Sequence, residues 1–445
     1  MGTAPAAVIK EERSDSVQRH PRGLYVLFAT EMWERFSFYT MLAMLVLYLR
    51  DSRQGFGWSE AEAIRVYSWY QMAVYASPLI GGWLADRILG TGRSIVVGAV
   101  FFIAGHILMA FPSEPVLYAA LACLVTGNGF FKPNISTLVG LQYPPGSGLR
   151  DAAYNIFYMG INIGAFIAPI VAELVMQAVG FHIAFAVAAV GMLFSLLIFS
   201  KWKGLVAGRG RAAGPEATRA EAASPQSADP MAAIPDRTRV LALLTVFAVV
   251  IVFWMVFHQN GSTLTYWADD NTNWESWGLK VSGVISNSIN PFFIVTLSLP
   301  LVALWRWLRR RGLEPSTPTK IFIGMILTGA SCLILYLAAL AGGDTGRVSP
   351  LWLIGAYAVI SLGELCLSPM GLSLVSKVAP PRIRAMMMGG WFVATAIGNK
   401  LTAIGVYWKV WSHSQFFLVL ALMALGMAAL LALLLRPLKK AMPGV

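Results

Sequence analysis

The 445-residue chain is 57% hydrophobic and 13% charged, with a mean hydropathy of +0.64 and a formal net charge of +12. Soluble domains carry about 25% charged and 45–50% apolar residues, so a soluble multidomain enzyme and a largely disordered chain are both excluded. The three cysteines, Cys123, Cys332 and Cys366, sit inside apolar runs and read as small buried hydrophobes, which excludes a disulfide-stapled secreted fold.

A membrane-spanning helix needs about 20 apolar residues. Twelve apolar segments follow one another, at 24–49, 63–86, 94–111, 116–140, 152–177, 182–200, 238–268, 281–307, 319–341, 350–376, 383–408 and 415–435. Residues 1–22 are polar, carry Lys10, Arg13, Arg19 and Arg22, and lack the apolar core of a cleavable leader. The expected organisation is a cytoplasmic tail (1–22), six spans (23–200), a cytoplasmic linker rich in Ala, Arg, Pro, Ser and Gly (201–237), six more spans (238–436) and a second tail (437–445). Of the 34 Lys and Arg residues, 25 fall on the side of the termini, six on the other side, and Arg35, Lys132 and Lys400 within spans. That asymmetry places both termini in the cytoplasm and makes the positive charge a matter of membrane topology rather than nucleic-acid binding. Two six-helix halves are the layout of many secondary transporters.

A charge at the bilayer centre costs about 3 kcal/mol on insertion scales, so each one needs a partner, a water-filled cavity or a function. The first span carries Glu31, Glu34 and Arg35 in "TEMWERFSFYT". Offsets of three and four put Glu34 and Arg35 on either side of Glu31 on one face, with Tyr39 near it. The fourth span carries Lys132 beside the helix-kinking Pro133, and Glu31 and Glu34 are its expected partners. The tenth carries Glu364, with Lys400 of the eleventh as its expected partner. Three acids against three bases give a neutral, polar cavity, which suits a zwitterion. Glu173 is expected to be solvated at the outer end of the fifth span. His258 changes charge near neutral pH and is a candidate proton site. Tyr39, Tyr75, Trp254 and Trp391 are candidate pocket walls. No zinc spacing, phosphate-cradling loop or nucleophile elbow is present, so neither an enzyme nor a metal or cofactor is expected.

Six segments carry a family resemblance. "EMWERFSFYT", "FFKPNIS", "FYMGINIGAF", "SINPFF", "SLGELCLSPMGLS" and "GGWFVATAIGNK" resemble, in order, helices one, four, five, eight, ten and eleven of the proton-dependent oligopeptide transporters. These form the peptide-transporter branch of the major facilitator superfamily. Asp86 and Arg87 in "GGWLADRILGTGR" are similar to that superfamily's loop after the second span.

The resemblance implies an all-α integral membrane protein with the major facilitator fold, twelve helices in two six-helix bundles. It also implies a monomer in the bacterial inner membrane that imports di- and tripeptides with protons as the coupling ion. By the same resemblance, Glu31, Glu34 and Arg35 couple protonation to gating, Arg35 and Lys132 bind the peptide carboxylate, and Glu364 binds its amino group. Tyr39, Tyr75, Asn162, Trp254, Asn290, Ser368 and Trp391 match pocket positions.

Three departures stand out. His258 replaces an acid common in the seventh helix, and Phe38 stands where a tyrosine is common. The linker is also too short for the two extra helices many members carry. A related carrier for another small zwitterionic or anionic solute is the alternative reading.

Overall fold

Helices occupy all twelve apolar segments. The computed structural model describes residues 20–143, 149–210, 231 and 233–442; most of the N-terminal tail, 211–230 of the linker and 443–445 lie outside the described residues. The N-terminal half comprises α1 (Arg22–Arg50), α2 (Glu60–Leu84), α3 (Thr91–Leu108), α4 (Glu114–Leu141), α5 (Leu149–Val179) and α6 (Phe181–Gly210). The C-terminal half comprises α7 (Asp236–Phe257), α8 (Thr263–Asp270), α9 (Ile289–Arg310), α10 (Thr317–Ala341), α11 (Pro350–Val378), α12 (Arg384–Leu401) and α13 (His413–Ala441). Among the described residues, nine segments are long and apolar enough to cross a membrane by length and composition. Of the long helices, α1, α2 and α12 fall short. In α1 the cause is its charged cluster, which lowers the hydropathy of the span that carries the chemistry.

Capping boxes start two helices, Ser59 with Glu62 at α2 and Ser412 with Gln415 at α13. The sixth span runs on to Gly210, past residue 200 where its end was expected. Asp86 and Arg87 sit in a single π-turn, Ala85–Leu89, where the Arg87 guanidinium lies over the Trp83 ring. Three spans of the C-terminal half are broken by 3-10 turns, at His258–Gly261, Gly283–Ser288 and Thr402–Tyr407. The first break joins α7 to α8. It occurs where a Cβ on Gly261 would lie 2.1 Å from the Tyr67 hydroxyl oxygen, so only glycine lets α2 approach the turn.

Each half packs around its own helix pairs: α1 against α5 and α6, and α3 against α4, in one; α10 against α11 and α13, and α7 against α12, in the other. Between the halves, α2 lies against α12 and its 3-10 extension, and α5 lies against α9 and the turn before it. No comparable contact joins α4 to α11 among the described residues.

Polar contacts between the halves gather at the end away from the termini. Arg50, at the end of α1, pairs with Asp269, with Asp270 at 2.7 Å and with Glu60 at 3.3 Å. Glu173 is only 2% exposed and accepts hydrogen bonds from the Ser282 N–H (2.6 Å) and hydroxyl (2.5 Å) and from Gln177 (3.1 Å). The expectation of a solvated Glu173 is therefore wrong. The turn ahead of the eighth span folds over the end of α5 and covers it, a contact between halves that no single segment shows. The Tyr266 hydroxyl donates to the Val46 carbonyl (3.1 Å) and Ser288 to that of Phe166 (2.8 Å). One end of the molecule is closed by these contacts.

Candidate functional site

The site begins on α1. Glu31, Glu34 and Arg35 are 1%, 0% and 3% exposed. Arg35 grips Glu34 with two nitrogens, Nε and Nη2, the latter 2.5 Å from Oε1, while its Nε lies 3.3 Å from Glu31 Oε1. The other Glu31 oxygen, Oε2, has no hydrogen-bond partner in the structure. The guanidinium carbon lies 5.0 Å from the centre of the Phe38 ring. Thus the phenylalanine that replaces a tyrosine offers its π-face to the cation in place of a hydroxyl.

Lys132 comes from α4. That helix reaches the site because it crosses α2 backbone to backbone: a Cβ on Gly81 would lie 2.0 Å from the Gly129 carbonyl oxygen. The Lys132 ammonium lies 4.9 Å from the centre of the Tyr75 ring on α2. Among the described residues no carboxylate lies within 4.0 Å of it, so the expected pairing with Glu31 or Glu34 is not formed. Arg35 sits on the same helix as both acids and takes both, leaving Lys132 free.

Tyr75 in turn reaches the C-terminal half. The His258 Nδ1–H donates to the Trp254 carbonyl at 3.2 Å, which leaves Nε2 to accept from the Tyr75 hydroxyl at 3.5 Å. Trp254 and Phe257 close over the His258 ring at centroid distances of 5.0 and 5.3 Å. The indole N–H of Trp254 is buried without a partner in the structure.

Glu364 on α11 accepts from the Asn290 side-chain amide at 3.0 Å, and the same amide donates to Ser361 at 2.9 Å. Lys400 is not its partner. The Lys400 ammonium donates to the Ser68 hydroxyl at 3.2 Å and lies 4.1 Å from the centre of the Trp69 ring, both on α2. The expected Glu364–Lys400 pair fails because Lys400 sits at the C-terminal end of α12, where it reaches across to the other half. Glu364 instead lies close enough to Tyr39, Tyr75 and Tyr158 to interact electrostatically with each.

Contacts thus link Glu31, Glu34, Arg35, Lys132, Tyr75, Trp254 and His258 across the two halves, and Tyr39, Asn290 and Glu364 adjoin that network. Ser368 is half-buried one turn beyond Glu364. Asn162 is spent on its own helix, donating to the Tyr158 carbonyl at 2.9 Å. Trp391 is buried against α11, where a Cβ on Gly371 would lie 1.8 Å from its ring, and beside Phe247. Sequence reasoning missed Tyr158, which is 39% exposed although close to Glu364, and whose signal was its place one turn before Asn162. It also missed Asn128, buried beside Arg35.

A family model described as the POT family matches residues 92–207 and 221–431. The chain is 33% identical to the "Di-/tripeptide transporter" of Lactococcus lactis subsp. cremoris, with 96% of this chain and 97% of the relative covered. It is similar to a crystal structure of a mutant of the peptide transporter POT in complex with alafosfalin, at 33% identity and a TM-score of 0.85, with 96% of each chain covered. It is also similar to a POT family transporter solved with a thioalcohol-conjugated peptide, at 29% identity and a TM-score of 0.84, with 95% of this chain and 97% of that one covered.

Proposed function

The chain belongs to the POT family, and from that premise we propose that it is a proton-coupled symporter that imports di- and tripeptides by alternating access. One observation carries the reading. Lys132 and Glu364 approach Tyr75 from opposite halves, and among the described residues each lacks an oppositely charged partner within 4.0 Å. Both are half-buried, and a charge drawn partly out of water without a partner is costly. A small peptide supplies both missing charges, its carboxylate to Lys132 and its ammonium to Glu364, which Asn290 orients.

Proton coupling follows from the α1 cluster. With both acids ionised, Arg35 is held by Glu34 and Glu31. Glu31 is the looser partner, with one 3.3 Å contact and one free oxygen, and it takes the proton. Arg35 then turns to the peptide carboxylate beside Lys132. Proton and peptide therefore bind together more readily than singly, which is what ties the two fluxes. Tyr39, Tyr75, Tyr158, Asn162, Trp254, Ser368 and Trp391 shape the walls. The transporter works as a monomer in the bacterial inner membrane and uses no cofactor beyond the proton.

In this reading the two units that rock are residues 23–200 and 238–436, joined by 201–237, with the tails 1–22 and 437–445 in the cytoplasm. The closed end, with Arg50 and Glu173, then faces outward, and the opposite end faces the cytoplasm.

His258 adds a site whose protonation gains a charge, whereas protonation of a carboxylate loses one. His258→Gln is expected to shift the pH profile of uptake; an unchanged profile would reduce His258 to packing. The substrate class is tested by competing labelled di-alanine uptake with amino acids, dipeptides, tripeptides and tetrapeptides. Inhibition by dipeptides and tripeptides alone is expected. Inhibition by free amino acids alone would replace the reading with a carrier for another zwitterion.

A further inference from the structure

Pro78 lies inside α2 and has no N–H, so the Val74 carbonyl four residues earlier loses its helical donor. The Asn128 side-chain amide of α4 fills that place from outside the helix, donating to the Val74 oxygen at 2.7 Å. Ser77 donates to the same oxygen at 3.1 Å from within α2. Asn128 is fully buried, and its own oxygen accepts from Arg35 Nη2 at 3.5 Å. The carbonyl on one side and the guanidinium on the other fix the orientation of the amide.

We propose that Asn128 relays the state of the α1 acids to the Pro78 turn of α2. The inference rests on the reading of the chain as a proton-coupled carrier. In the structure the Arg35–Asn128 contact is long because Glu34 and Glu31 hold the guanidinium. When Glu31 takes the proton, the guanidinium loosens; as it turns toward the peptide carboxylate, its Nη2 can close on the Asn128 oxygen already within reach. A shorter bond there polarises the amide and strengthens its other bond, to Val74.

That turn matters because of what α2 carries. Tyr75, the next residue, meets both Lys132 and His258, and Ser68 and Trp69 meet Lys400 of the other half. The titratable and charged groups around this relay are Glu31, Glu34 and Tyr39 on α1, Tyr70 and Tyr75 on α2 and Lys132 on α4. His258 and Glu364 reach in from the C-terminal half.

The test uses the whole chain in proteoliposomes, with the unmodified protein, Asn128→Ala, Pro78→Ala and the double variant compared for thermal stability and for di-alanine uptake against external pH. Asn128→Ala is expected to slow gradient-driven uptake about tenfold, the order of one lost buried hydrogen bond, and to flatten its pH profile while leaving KM unchanged. Pro78→Ala returns an N–H to the Val74 carbonyl. In that background Asn128→Ala should cost no further stability, yet the pH profile should stay flat. Should Asn128→Ala prove too unstable to assay, the double variant carries the test. A profile like the unmodified protein's in Asn128→Ala, or recovery of stability and pH dependence together in the double variant, would show that Asn128 merely satisfies a carbonyl. An unmodified protein that takes up no di-alanine would instead remove the carrier reading, and this inference with it.

Discussion

Replacing Arg35 by alanine is expected to abolish gradient-driven peptide uptake and to lower thermal stability at the same time. Both carboxylates that Arg35 holds are buried to within 1% of full burial. Breaking a buried ion pair by removing one partner costs about 3–5 kcal/mol, against about 0–1 kcal/mol for an exposed pair. Lys132 lies too far away, over Tyr75, to take the place of the guanidinium without moving. The contact with the Phe38 face is lost as well, worth about 0.5–2 kcal/mol. Thermal unfolding in detergent reads the first effect and proteoliposome uptake the second. Adding Glu34→Gln should restore part of the stability and none of the uptake, because it removes a buried charge but not the need for the cation. An Arg35→Ala protein as stable as the unmodified one would mean that Glu31 and Glu34 are not ionised in this state.

Lys132→Ala should separate those two effects. Its ammonium has no carboxylate within 4.0 Å among the described residues, so its removal strands no acid. The stability change should be that of one cation–π contact, about 0.5–1 kcal/mol. Uptake should nevertheless be abolished, because the peptide carboxylate loses its one uncommitted cation. A hydrogen bond to a charged group is worth about 1.5–3 kcal/mol, or about ten- to a hundredfold in binding. Binding measured by thermal shift with di-alanine should weaken by that factor. A Lys132→Ala protein that takes up di-alanine at the unmodified rate would contradict the assignment.

The contrast between these two cations also shows what was legible in the sequence. Charge is so scarce in the spans that each acid and base there stood out, and the helical repeat correctly put Glu31, Glu34 and Arg35 together. Helices fill all twelve apolar segments, although α1, α2 and α12 are less apolar or shorter than the other nine. Pairing between helices was not legible, because it depends on how far one helix slides and turns against another. Lys132 was expected on Glu31 or Glu34 and lies over Tyr75. Lys400 was expected on Glu364 and reaches Ser68. Glu173 was expected in water and is roofed by Ser282 from the other half. The breaks at His258–Gly261 and Thr402–Tyr407 were hidden for a similar reason, since apolar content is the same in an α-helical and a 3-10 turn. Asn128 had a weak signal, a polar residue between two glycines in "GNGFFKP", but its meaning depends on Pro78 of a different helix.

The central claim is that a proton gradient drives peptide uptake through this chain. Its most direct test is the accumulation of labelled di-alanine in proteoliposomes made acidic outside, with and without a protonophore. The account predicts accumulation above the external concentration that collapses to equilibration when the protonophore is added. Accumulation that persists without the gradient, or uptake that only ever equilibrates, would contradict it.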